Sequence, residues 1–132
     1  MDETTASEKG LTVLFGQIFI DRFNNFPVKD QKKIFEFVEH LKTKGFSGLA
    51  GRNKSSIDVD KNDSDFLKKV TYARDNCLYH YHIGIPYYDE SNAFGDWTSE
   101  YILHYQYRNG EITLLDLDSH PPFTLPAEKF LI

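Results

Sequence analysis

A single cysteine, Cys77, excludes an internal disulfide and with it the disulfide-stapled miniproteins, and it fits a reducing compartment. Long apolar runs are missing too. The longest, Leu11 to Ile20, is broken by Thr12, Gly16 and Gln17, well short of the ~20 residues that cross a bilayer. The opening MDETTASEKG is polar and acidic where a secretory leader is basic. Neither CxxC nor HExxH occurs, so the strongest metal signatures are lacking. Basic residues are outnumbered, 15 Lys/Arg against 20 Asp/Glu, and the net charge of −5 argues against a generic nucleic-acid binder. These absences predict a soluble, cytoplasmic chain that spans no membrane.

What is present is a core-forming composition. With 40% hydrophobic, 27% charged and 15% aromatic residues, the chain is neither disordered nor fibrous. Its 132 residues suit one domain. Residues 1–10 are expected to be a flexible tail and 11–132 the folded unit. Charge is unevenly spread along it: basic residues exceed acidic ones between Arg22 and Arg74, and acidic ones prevail on either side. A basic middle fits a polyanion; an unevenly charged solvated surface is the plainer explanation.

The hydrophobic period divides the chain in two. LTVLF, Leu11 to Phe15, reads as a short strand. Phe15, Phe19, Phe23 and Phe26 then recur at helical spacing until Pro27. A second helix from Val28 carries Ile34, Phe37, Val38 and Leu41 on one side, with Lys42, Lys44 and Gly45 as its stop signal. A loop with GRNKSS follows, then a shorter helix from about Ser64 to Asp75. From Leu78 the period becomes two: LYHYHIGI and EYILHYQY alternate, and Asn109-Gly110 joins EYILHYQY to EITLLDL as a hairpin. Tyr87 to Thr98 reads as a polar lid or flap. The fold class expected is α+β, a small antiparallel β-sheet backed by an N-terminal helical hairpin.

Four of the five histidines, His80, His82, His104 and His120, fall on or just after these strands, and neighbouring strands bring them to one face. Imidazole exchanges protons near neutral pH. RNA cleavage through the 2′-OH needs a base, an acid and cations for the phosphate, and these histidines with Arg52, Lys54 and Arg74 supply all three without a metal or other cofactor. Tyr105 is a candidate for stacking on splayed bases. Hydrogen-bonded core histidines are the bland alternative. A second is a metal site in which His104 or Asp116 completes a set begun by His80 and His82.

The order of elements, together with HLKTKGFSGLAGRNKSS, LYHYHIG, SEYILHY and ITLLDLDSHPPF, resembles the RelE/ParE-like toxins of bacterial type II toxin–antitoxin modules over residues ~11 to ~125. The resemblance implies a small antiparallel sheet with a helical hairpin, an endoribonuclease acting on mRNA, on or off the ribosome, and a cognate antitoxin as partner. Its RNA-cutting members carry basic and aromatic groups at the positions of His80 and His82. They also carry an Arg or His just past the last strand, where His120 stands, and often an Arg near Ile102, two residues from His104. The roles expected are His82 or His104 as base, His120 as acid, and Arg74 with Lys54 as phosphate clamps. Two alternatives stay open: a non-enzymatic inhibitor that binds a protein such as gyrase, and a small metal-binding or interaction domain.

Overall fold

The long strands form where the period is two and the helices where it is near four. In the computed structural model, which describes residues 10–120 and 123–131, they run β1 (Thr12–Phe15), α1 (Gln17–Phe23), α2 (Val28–Lys44), β2 (Asn53–Ser55), α3 (Phe66–Asp75), β3 (Leu78–His82), β4 (Tyr101–Arg108) and β5 (Glu111–Ser119), with a 3-10 turn at Glu128–Phe130. The class is mixed α+β. Of the expected tail only Gly10 lies among the described residues.

The boundaries have local causes. Pro27 stands at the N-cap of α2, and Gly45 ends the helix with φ 63° while its N–H donates to the Leu41 carbonyl. Asn109 and Gly110 both take positive φ, 51° and 80°, the conformation a two-residue hairpin between β4 and β5 requires. The strand expected to reach Ile85 stops at His82. Gly84 sits just beyond at φ 82°, and a Cβ there would meet the Tyr88 ring at 2.7 Å.

The strand order is β1-β5-β4-β3-β2. All pairs are antiparallel except β1 with β5, which run parallel from Thr12↔Glu111 to Phe15↔Leu114. The expectation of a wholly antiparallel sheet is corrected at that edge, because alternation within an edge strand carries no information about its direction. GRNKSS, expected to be loop, contributes β2, which closes the other edge with Lys54 opposite His80. A register shift between His104 and Tyr105 leaves Leu115 as an extra residue in β5, paired by neither.

On one face of the sheet Tyr81, Leu103, Tyr105, Ile112, Leu114 and Leu117 share a core with Phe19 of α1 and with Ile34, Phe37, Val38 and Leu41 of α2. Burying each large apolar side chain stabilises the fold by roughly 1.5–3 kcal/mol. A smaller cluster on the other face joins Ala73 of α3 and Leu78 to Leu115, with Leu125, Phe130 and Leu131 of the C-terminal segment packed against it. No helix among the described residues is long and apolar enough to cross a membrane.

Candidate functional site

Alternation along β3 and β4 turns His80, His82 and His104 away from the large core, onto the face that α3 and the C-terminal segment partly cover. His80 and His104 are register partners across the two strands. The ring centroids of His80 lie 6.3 Å from His82 and 6.4 Å from His104, and His120 closes on His82 at 4.9 Å. All four expected histidines therefore meet.

They do not meet as equals. His104 is 1% exposed, and neither of its ring nitrogens has a hydrogen-bond partner among the described residues. Phe123 lies over it at 5.6 Å and over His80 at 4.8 Å. His80 is buried with its Nδ1 2.9 Å from Ser56 Oγ. His82 is buried as well, whereas His120 is half-exposed at the end of β5. Burial lowers all three strand histidines. His80 falls to about 3, with His104 and His82 adding repulsion; His82 falls to about 4, with His120 adding to it. Burial also takes His104 to about 4, against the pull of Asp118. At neutral pH these three are uncharged.

Ser99 joins His82 to His120. Its backbone N–H donates to His82 Nδ1 at 3.0 Å, and its carbonyl lies 3.0 Å from His120 Nε2. An N–H can only donate and a carbonyl can only accept. His82 Nδ1 is therefore the bare nitrogen and its proton is on Nε2, while His120 carries a proton on Nε2 and its Nδ1 makes no hydrogen bond to a described residue. The 3.3 Å approach of His82 Nδ1 to the same carbonyl is not a second bond, because a proton on Nδ1 would collide with the Ser99 N–H. The serine hydroxyl locks this peptide, donating to the Tyr101 carbonyl at 2.8 Å and accepting the Gly84 N–H at 3.0 Å.

The cations divide. Arg52, in the residue pair leading into β2, accepts the His82 N–H on its carbonyl at 2.9 Å and holds Asp96 through its guanidinium at 2.5 Å. That hydrogen bond to Asp96 raises Arg52 further and lowers Asp96. Lys54 reaches Asp58 at 2.5 Å. Both pairs are partly exposed, so solvent screens them and they add little to stability. Arg74 is not brought to the histidines: it is exposed at the end of α3, with Asp75 3.4 Å away. Lys69, on the same helix, lines a pocket with Lys54, His80 and Phe123 instead.

Tyr105 requires a correction. Expected to stack on bases, it is fully buried in the large core, between Tyr79 at 5.6 Å and Phe46 at 6.3 Å, and its hydroxyl donates to Asn53 Oδ1. Its face is the one α2 covers, because Tyr105 alternates with His104. The Tyr87–Thr98 segment is tied down as well. Asp89 bridges Thr98, Trp97 accepts the Arg52 N–H at 2.8 Å, and Tyr88 donates to the His82 carbonyl at 2.7 Å.

Asp116, weighed as a metal ligand, pairs with Arg22 at 3.0 Å. Burial raises it to about 6 against that pull. Among the described residues no group of three or more His, Cys, Asp or Glu side chains is arranged to hold a metal ion. Ser99 and Phe123 were not singled out from the sequence. Phe123 closes the HPPF that comes after the last strand, which is the signal that could have marked it; Pro121 and Pro122, expected to fix His120, lie outside the described residues.

No family model, curated protein or solved structure matches the chain.

Proposed function

We propose that this chain is the toxin of a type II toxin–antitoxin module, a RelE/ParE-like endoribonuclease that cuts mRNA in the cytoplasm, on or off the ribosome, and is silenced by a cognate antitoxin. α1 and α2, joined at Pro27, are read as the helical hairpin of that fold. The observation that carries the proposal is the Ser99 peptide held between His82 and His120. It fixes two imidazoles 4.9 Å apart in defined tautomers beside Arg52 and Lys54.

The hydrogen bonds favour an exchange of the roles expected from sequence. His82 has no lone pair to offer on Nε2, so it serves as a neutral donor to a phosphoryl oxygen. His120 takes the 2′-OH proton at Nδ1. The O2′–P bond then forms as the P–O5′ bond breaks, leaving a 2′,3′-cyclic phosphate. The 5′-oxygen takes a proton from the Lys54 ammonium, and Arg52 balances phosphate charge. His104, sealed beneath Phe123, is left out of the reaction.

The test is cleavage of a short RNA, with and without ribosomes, beside the same RNA carrying one 2′-deoxy residue at the cut site. A cyclic-phosphate product from the first and none from the second is expected. Intact RNA under every condition, with growth arrest that begins at DNA replication, removes the proposal in favour of a gyrase-type protein inhibitor. One feature favours that second reading: Val28 and Phe35 are exposed along a shallow apolar groove on α2, a surface suited to a protein partner.

A further inference from the structure

Beside His80 lies a pocket of about 310 Å³ that the proton-transfer reading leaves unused. Its walls are of two kinds. Phe123, 38% exposed, offers a ring face, with His80, Val59 and Leu125 adding apolar surface. Apart from Thr124, the rest is charged: Asp58, Asp60 and Asp63 against Lys54 and Lys69, one more carboxylate than ammonium. Lys54 is paired with Asp58 and Lys69 with Asp63 at 2.6 Å, which leaves the carboxylate of Asp60. That group accepts one hydrogen bond, from the Asn62 amide at 2.9 Å.

With Lys54 held by Asp58, this balance is wrong for a phosphate inside the pocket, which the surplus carboxylate repels. It suits a flat, uncharged ring that stacks on Phe123 and points hydrogen-bond donors at Asp60. Cytosine, adenine and guanine have such donors in their exocyclic amines. Uracil turns carbonyl oxygens in the same directions and meets repulsion. The pocket is also one side-chain step along β3 from His82, since His80 and His82 are successive residues of the same face. A phosphate held at His82 and His120 brings the base of an adjoining nucleotide to its mouth.

We infer that this pocket is a nucleobase subsite selecting an amino-bearing base over uracil, with Phe123 as the stacking platform and Asp60 as the acceptor. The inference rests on the ribonuclease reading for the source of the base. The pocket itself is tested apart from cleavage.

The probes are free cytidine, adenosine and uridine, which carry no phosphate, titrated into the full chain while the ring resonances of His80 and Phe123 are followed by NMR. Cytidine and adenosine are expected to shift both rings and to bind about tenfold or more tightly than uridine. F123A should weaken cytidine about tenfold by loss of stacking. D60N changes only an exposed loop side chain, so it should leave the fold intact and narrow the cytidine–uridine gap. Equal binding of uridine and cytidine, shifts confined to residues outside the pocket, or an unchanged preference in folded D60N each overturn the inference. Nucleoside binding without RNA cleavage retains the subsite and removes the ribonuclease. Cleavage without nucleoside binding does the reverse.

Discussion

The four histidines separate by what each nitrogen touches. His120 stands half-exposed just past the end of β5, and His82 stands beside it with its tautomer set by Ser99. His120→Ala should lower RNA cleavage by about 10²–10⁴-fold, the usual cost of a lost acid or base, and His82→Ala should follow; His40→Ala, on α2, should not. His104 is expected to behave differently. Both its nitrogens are buried without partners among the described residues, an arrangement that costs stability. His104→Leu should therefore hold or raise the urea midpoint and leave cleavage within a few-fold. A folded His104→Leu protein without activity would falsify the division of roles. The same burial sets a pH dependence. His80, His82 and His104 have folded values of about 3, 4 and 4 against an unfolded 6.5, so the unfolded chain binds protons first on acidification. Their contribution is complete above pH 6.5 and drains as pH falls toward 4. Asp116, raised from 3.8 to about 6, acts in the opposite sense, losing its contribution as pH rises through 6. Three groups against one give a net fall in melting temperature from pH 7 to pH 4.5. A flat profile there would show that the imidazoles are more hydrated than the fold implies.

At the scale of elements, legibility followed the length of the repeating pattern. LYHYHIGI and EYILHYQY alternate for eight residues each, so the shared face of His80, His82 and His104 was readable directly from the spacing. Alternation separates two faces without saying which one meets water. Here both are covered, one by α1 and α2, the other in part by α3 and the C-terminal segment. That is why Tyr105 was misread as an exposed stacking residue. Tyr105→Ala should accordingly cost about 3–5 kcal/mol in urea unfolding, as loss of a large core aromatic does, while Tyr105→Phe keeps RNA affinity. A stable Tyr105→Ala protein that had lost RNA affinity would restore the stacking role. Three residues of β2 carry no period at all, and their strand state comes from pairing with β3. Gly51, just before them, has the His82 carbonyl oxygen 1.9 Å from where a Cβ would be. Gly51→Ala should push β2 from β3, cost about 1–3 kcal/mol and speed hydrogen exchange at the His82 amide, which donates to Arg52.

Over the whole molecule, the linear charge pattern foretold a basic segment but not its division in space. Folding sends Arg74 to the far end of α3 and keeps Arg52 and Lys54 beside the histidines, because β2 pairs with β3 in the register that sets Lys54 opposite His80. On the proposed reading these two meet the phosphates of a strand lying across His82 and His120. Each holds a surface carboxylate, Asp96 or Asp58, which a bound phosphate would replace. Binding of single-stranded RNA should then depend on salt through these two cations, each neutralised phosphate adding about 0.7 to the slope of log affinity against log salt. Arg52→Glu/Lys54→Glu should weaken RNA binding most at low salt and flatten that slope by about 1.4, two phosphate contacts' worth. Arg74→Glu, which the sequence alone would have grouped with them, should change neither. The measurement is RNA affinity by fluorescence anisotropy at several salt concentrations. If Arg74→Glu and the double variant flatten the slope equally, RNA crosses α3 instead and the path over His82 and His120 is wrong.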